Sequence, residues 1–157
     1  NKLSQLGSGV SWGDIDGDGD DDIYIGGASG FPGRIFTNNG SGSFVNKFQF
    51  VFNNDADYED MGSIFIDPDN DGDLDLFVVS GGVECRAGDK ILQDRLYLNN
   101  GSGNFAKAAS ELIPKINSSG SVVAAADINK DAESISASRL NTPGVPEAWL
   151  FLPKITN

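Results

Sequence analysis

GVSWGDIDGDGDDDIYIGG (Gly9–Gly27) is the stretch on which the fold turns. Two short apolar runs flank a loop in which Asp14, Asp16, Asp18, Asp20, Asp21 and Asp22 crowd together, and a glycine pair closes the second run. Carboxylates at close range repel by about 1 kcal/mol per pair in water and by several times that near a protein surface. A tight loop of this composition therefore calls for a cation to cancel its charge.

The stretch recurs. MGSIFIDPDNDGDLDLFVVSGG (Met61–Gly82) repeats its order of parts, and RIFTNNGSGSF (Arg34–Phe44) returns almost residue for residue as RLYLNNGSGNF (Arg95–Phe105). A third, degenerate copy starts at VVAAADINKDAESI (Val122–Ile135) and reaches AWLFLP (Ala148–Pro153) without an NNG turn. The first acidic residues of the copies, Asp14, Asp67 and Asp127, are 53 and 60 residues apart. Self-similarity at a fixed period is the sequence mark of a repeat architecture. The repeats are bounded as 9–50, 61–107 and a degenerate 121–157, within a single repeat domain covering 1–157.

The local pattern predicts an all-β fold. IYI, SIFI, LFVV and LYL are short runs of β-branched and aromatic residues punctuated by Gly, Asn and Asp, the signature of strands and tight turns. Asn39-Gly40 and Asn100-Gly101 suit the positive φ of hairpin turns, after which Phe44 and Phe105 are expected to return to the core. AKAASELI (Ala106–Ile113) is the one helical candidate, a turn or a short helix. Trp12, on an apolar strand, is expected in the core, Cys85 is expected as a buried spare thiol, and Arg34, Arg95 and Arg139 are expected at the surface.

Within each good copy the spacing is D-x-D-x-D-G-x-x-D: Asp14, Asp16, Asp18, Gly19 and Asp22, then Asp67, Asp69, Asp71, Gly72 and Asp75. Calcium takes six to eight oxygen ligands, and carboxylates alternating along a tight loop converge on one point. Gly19 and Gly72 permit the sharp turn, which brings the carbonyls of Asp20 and Asp73 toward the ion. Asp22 and Asp75 close each site and open the next strand. Magnesium demands a stricter octahedron, and zinc prefers the Cys and His ligands that this loop lacks. An EF-hand would need flanking helices and a glutamate at its twelfth position, neither of which is present. In the third copy Asp127, Asn129 and Asp131 persist, but Ala132 replaces the glycine, and Glu133 serves as closing acid only if two residues have been lost; this is the weaker site.

Composition narrows the function. A net charge of −12 disfavours nucleic acid and anionic membrane surfaces. No apolar run approaches the roughly 20 residues of a membrane helix, so no membrane insertion is expected. The absence of histidine removes serine–histidine and cysteine–histidine catalysis, and the single cysteine removes an intrachain disulfide. A start at Asn1 reads as a processed protein or a piece of one. Asn39, Asn100 and Asn117 head N-x-S sequons and are candidate glycan acceptors.

WGDIDGDGDDDIYIGG, FIDPDNDGDLDLFVVSGG and QDRLYLNNGSGNF together resemble the VCBS or FG-GAP-like repeats of integrin-α-type β-propellers, especially those of large secreted bacterial proteins. The resemblance implies a partial β-propeller of two to three four-stranded blades, with calcium in the acidic inter-strand loops. It also implies an extracellular or cell-surface location and a non-catalytic role in adhesion, surface structure or self-assembly. Propellers close with four to eight blades, so neighbouring propeller repeats or copies of the chain are expected partners, beside a carbohydrate or cell-surface protein ligand. The N-terminal residues Lys2–Leu6 are a candidate closing strand. Two alternatives stand against this: a carbohydrate-binding module, with Trp12 and Trp149 stacking on sugars, and a segment of a carbohydrate-active enzyme on a propeller scaffold. The enzyme would draw on the remaining acidic cluster, Asp55, Asp57, Glu59 and Asp60, using paired carboxylates. If no enzyme is present, Asp57→Asn and Asp60→Asn should leave stability untouched.

Overall fold

The computed structural model describes residues 8–82, 85–126, 135–141 and 148–152, with side chains through residue 125. The described chain is all-β. β1 (Val10–Gly13), β2 (Asp22–Ile25), β3 (Arg34–Asn38) and β4 (Phe44–Lys47) form a first antiparallel sheet in the order β1-β2-β3-β4. After a one-turn helix α1 (Phe50–Asn53), β5 (Glu59–Ile66), β6 (Asp75–Gly81), β7 (Arg95–Asn99) and β8 (Phe105–Lys107) form a second sheet in the order β5-β6-β7-β8. β9 (Gly120–Ala126), β10 (Ile135–Asn141) and β11 (Ala148–Leu152) make a three-stranded third sheet.

The acidic loops join β1 to β2 and β5 to β6, and the NNGSG turns join β3 to β4 and β7 to β8. Gly40 and Gly101 adopt φ of 69° and 72°, which is why Asn-Gly occupies those corners. Register follows from the alternation of side chains: Trp12 faces Ile23 and Val10 faces Ile25 across β1 and β2, while Phe65 faces Leu76 across β5 and β6.

The sheets stack through their faces, with first strands side by side. A Cβ on Gly9 would lie 2.7 Å from the backbone of Gly62, and one on Gly62 would lie 3.2 Å from the Ser121 carbonyl, so β1, β5 and β9 approach at backbone distance. Ser11 Oγ meets Ser63 Oγ at 2.6 Å across the first of these contacts. Between the first and second sheets lie Ile15, Tyr24 and Ile35 on one side and Leu76, Val78, Tyr97 and Phe105 on the other, with Phe52 of α1 inserted among them. Between the second and third lie Phe77, Val79 and Leu96, against Val123 and Ala125. β6 is buried over all seven residues because both its faces are covered. Each of its apolar side chains contributes about 1.5–3 kcal/mol.

Several expectations are corrected. Trp12 is 57% exposed and Phe44 43%, and the two rings meet edge to face on the outer side of the first sheet. Their strand positions point away from the second sheet, the only sheet beside them among the described residues. Phe105, the counterpart of Phe44, is buried as expected. Cys85 is half-buried rather than buried. AKAASELI begins in β8 and holds the expected turn as a short 3-10 helix over Ser110–Leu112, whereas α1 forms where no helix is expected.

Arg95 is also corrected. It is 3% exposed and forms an ion pair with Asp60, itself 3% exposed. Asp60 Oδ2 accepts from Tyr24 Oη at 2.7 Å and from Gly27 N at 2.6 Å. Arg95 donates to Tyr97 Oη at 3.2 Å and lies over the Tyr58 ring. Tyr97 in turn donates to Asp55 at 2.7 Å, which also holds Lys107. Burial opposes the charge of Arg95, but Tyr97 and Asp60 outweigh it and push its pKa up. Burial, reinforced by Asp60, keeps the Tyr24 hydroxyl protonated and donating. Asp60→Asn would thus unpair a buried guanidinium, contrary to the expectation of no effect. Lys2–Leu6, the third acidic loop, and the side chains of Arg139 and Trp149 lie outside the described residues.

Candidate metal centre

Both acidic loops are wound by hydrogen bonds from their own backbone to their own carboxylates. Asp14 accepts from Gly17 N at 2.7 Å, Asp18 N at 3.2 Å and Gly19 N at 2.9 Å, and Asp18 accepts from Asp20 N at 2.9 Å. In the second loop Asp67 accepts from Asp71 N at 3.2 Å and Gly72 N at 3.1 Å, and Asp71 from Asp73 N at 2.9 Å. Backbone conformation repeats as well. Gly19 and Gly72 share φ of 92°, and Gly17 at 76° is matched by Asn70 at 60°, Asn being the side chain that tolerates this region best.

The winding draws carboxylate oxygens of Asp14, Asp16 and Asp18 within 4.8 Å of one another, and likewise Asp67, Asp69 and Asp71. Asp22 and Asp75 are anchored below them. Asp22 accepts from Ile15 N at 3.1 Å and Asn38 N at 2.8 Å, joining the loop to β3. Asp75 Oδ1 accepts from Asn99 N at 2.7 Å. Asp20 and Asp73 lie against Gly40 and Gly101 of the hairpin turns, so their side chains point away from the loop centres toward the neighbouring turns.

Asp16 Oδ1 and Asp75 Oδ2 are buried without a hydrogen-bond partner. Leaving a buried acceptor unpaired costs about 1–3 kcal/mol, more when it is charged. Burial pushes the Asp75 carboxyl up to about 7 against the N–H of Asn99, with Asp69, Asp71 and Asp67 adding repulsion. Burial likewise raises Asp22, with Asp16 and Asp18 adding to it, and raises Asp69, with Asp71 adding to it. Each loop is thus a set of hard oxygen donors with unmet electrostatic demand, which is what a divalent hard cation satisfies.

A family model described as FG-GAP-like repeat matches residues 14–78 and again 67–133. The chain is a member of the FG-GAP-like repeat family. Among curated proteins, none matches it. Each match of the FG-GAP-like model opens on the first aspartate of an acidic loop and runs past the start of the next.

Sequence reasoning missed Asn99. Its Nδ2 donates to the Ile15 carbonyl of the first loop at 2.7 Å and to the Leu74 carbonyl of the second at 3.1 Å, so one buried amide touches both. The recurring Asn of FTNN and LYLNN is the signal in the sequence that points to it. The sequon residues Asn39 and Asn100 are exposed, while Asn117 is half-buried. Asn39 Oδ1 accepts from Ser41 N, and Asn100 Oδ1 from Ser102 N, each at 3.1 Å.

Proposed function

We propose that the chain is a non-catalytic, calcium-stabilised, extracellular module of the β-propeller type, akin to the VCBS and integrin-α repeats, serving adhesion, surface structure or assembly. The observation that carries this reading is the pairing of two acidic loops in matched register, each gathering three carboxylates and each holding one buried carboxylate oxygen without a hydrogen-bond partner. Asp14, Asp16 and Asp18 would hold one ion, with Asp22 and the Asp20 carbonyl beside them. Asp67, Asp69 and Asp71 would hold the other, with Asp75 and the Asp73 carbonyl. The ion would neutralise the loop and pin it to the strand that follows.

The geometry of the Asp55–Asp60 cluster favours the non-catalytic reading. Asp55 and Asp60 are buried and committed to Tyr97, Lys107, Tyr24 and Arg95, which favours a structural role for these two carboxylates over acid–base work. Isothermal titration of the chelator-stripped chain tests the proposal. It should show two calcium sites that resist competition by equimolar magnesium, one of them lost in Asp16→Asn and the other in Asp69→Asn. Titrations without heat, or unchanged in both variants, would refute calcium binding by these loops.

A further inference from the structure

The two acidic loops share a frame of hydrogen bonds. Gly19 N and Gly72 N each donate to the leading aspartate, Asp14 or Asp67. Asp20 N and Asp73 N each donate to the fifth-position aspartate at 2.9 Å. Asn38 N and Asn99 N each donate to Oδ1 of the closing acid, Asp22 or Asp75.

At Oδ2 of the closing acid the loops part. Ile15 N donates to Asp22 Oδ2 at 3.1 Å, so both oxygens of Asp22 are taken by backbone. The residue equivalent to Ile15 in the second loop is Pro68, and proline has no N–H to give. Asp75 Oδ2 is accordingly buried without a hydrogen-bond partner in a residue only 2% exposed. A single difference, DID against DPD, leaves open in one loop an oxygen that is capped in the other.

A buried acceptor left unpaired is costly, the more so when charged, and such groups persist where something else meets them. The charges that act on Asp75 are those of Asp69, Asp71 and Asp67, which sets it against the carboxylates of the candidate ion site. The first loop also keeps an open oxygen, Asp16 Oδ1, but at the third position rather than the ninth.

We propose that Pro68 gives the two closing acids different work: Asp75 ligates the second ion directly through Oδ2, whereas Asp22, held at both oxygens by Ile15 N and Asn38 N, is a positioning residue that does not touch the first ion. This rests on the calcium reading above. An N–H restored at residue 68 would satisfy Asp75 Oδ2 in the empty loop and compete with the ion in the filled one. The same bond should therefore act with opposite sign on the two states.

Pro68→Ala supplies that N–H while keeping every carboxylate. In the full chain carrying Asp16→Asn to silence the first site, isothermal titration should find calcium at the second site bound about tenfold more weakly after Pro68→Ala. In chelator, Pro68→Ala should raise Tm relative to its effect in an Asp75→Asn background. Infrared spectra supply a signature that a purely structural role would not move. The carboxylate bands that shift on adding calcium should lose a component in Asp75→Asn and keep all of them in Asp22→Asn.

A second site whose affinity is unchanged or raised by Pro68→Ala would overturn the proposal while leaving calcium binding intact. So would a Tm lowered equally in chelator and in calcium, or a calcium-shifted band that disappears in Asp22→Asn. Because Pro68→Ala retains both closing acids, it decides the matter even where Asp22→Asn or Asp75→Asn fails to fold. A parent chain that takes up no calcium would remove the reading beneath the proposal, and the proposal with it.

Discussion

Asp60→Asn is the substitution whose cost the structure lets one work out. Asp60 and Arg95 are each 3% exposed, and the carboxylate is the one counter-charge in contact with the guanidinium among the described residues. The amide would leave Arg95 buried and unpaired, a change that costs about 3–5 kcal/mol. It would also turn one amide hydrogen toward the Tyr24 hydroxyl or the Gly27 N–H, both of which now donate to Asp60. These losses overlap, so about 4 kcal/mol is expected in total, a large share of the roughly 5–15 kcal/mol that holds a domain folded. At about 2–4 °C per kcal/mol for a chain of this size, calorimetry in calcium buffer should record a fall in Tm of about 8–16 °C. Adding Arg95→Met removes the stranded charge and should recover about half of the loss, giving a favourable coupling in the double-mutant cycle. A fall under about 2 °C for Asp60→Asn would refute the buried-pair account.

Calcium at 100 times its dissociation constant should stabilise the fold by about 2.7 kcal/mol per site, so chelation should lower Tm measurably; superimposed melts with and without chelator would count against structural ions. In chelator the pH dependence should run opposite to the usual carboxylate behaviour. The Asp75 pKa is raised by burial from 3.8 to about 7, so its contribution is fully present below about pH 4 and is lost as pH climbs through 7. The stripped chain should therefore melt higher at pH 5 than at pH 8, and Asp75→Asn should flatten the difference. Calcium, by holding the carboxylate ionised, should reverse the slope. Gly27→Ala should destabilise by about 1–3 kcal/mol, because its Cβ would run into the Phe31 carbonyl and lie 2.7 Å from Gly33 N, backbone that has little room to yield; urea denaturation checks it.

Strand order and turns were legible because they are decided within a few residues. Asn39-Gly40 and Asn100-Gly101 carry their own conformational preference, and the runs around the acidic loops carry their own alternation. Environment was not legible in the same way. RIFTNN and RLYLNN are locally alike, yet Arg34 is exposed and Arg95 is buried, because among the described residues only the second sheet has a neighbour on that side. Trp12 and Phe44 were misplaced for the same reason: their strands mark them as face residues, and what covers a face is a property of the stack. In the acidic loops the spacing of aspartates was readable, but the division of labour was not. That Asp22 and Asp75 spend oxygens on Asn38 N and Asn99 N depends on pairing with β3 and β7, which lie 16 and 24 residues further along the chain.

Asn99 changes what counts as a module. Its amide completes the loop of one sheet from the hairpin of the next, so the period of the fold is out of phase with the period of the text. A cut at the sheet boundary and a cut at the leading aspartate Asp67, where the second family match begins, would alike part Asn99 from Ile15. The smallest exchangeable unit that keeps this bond is a pair of adjacent repeats.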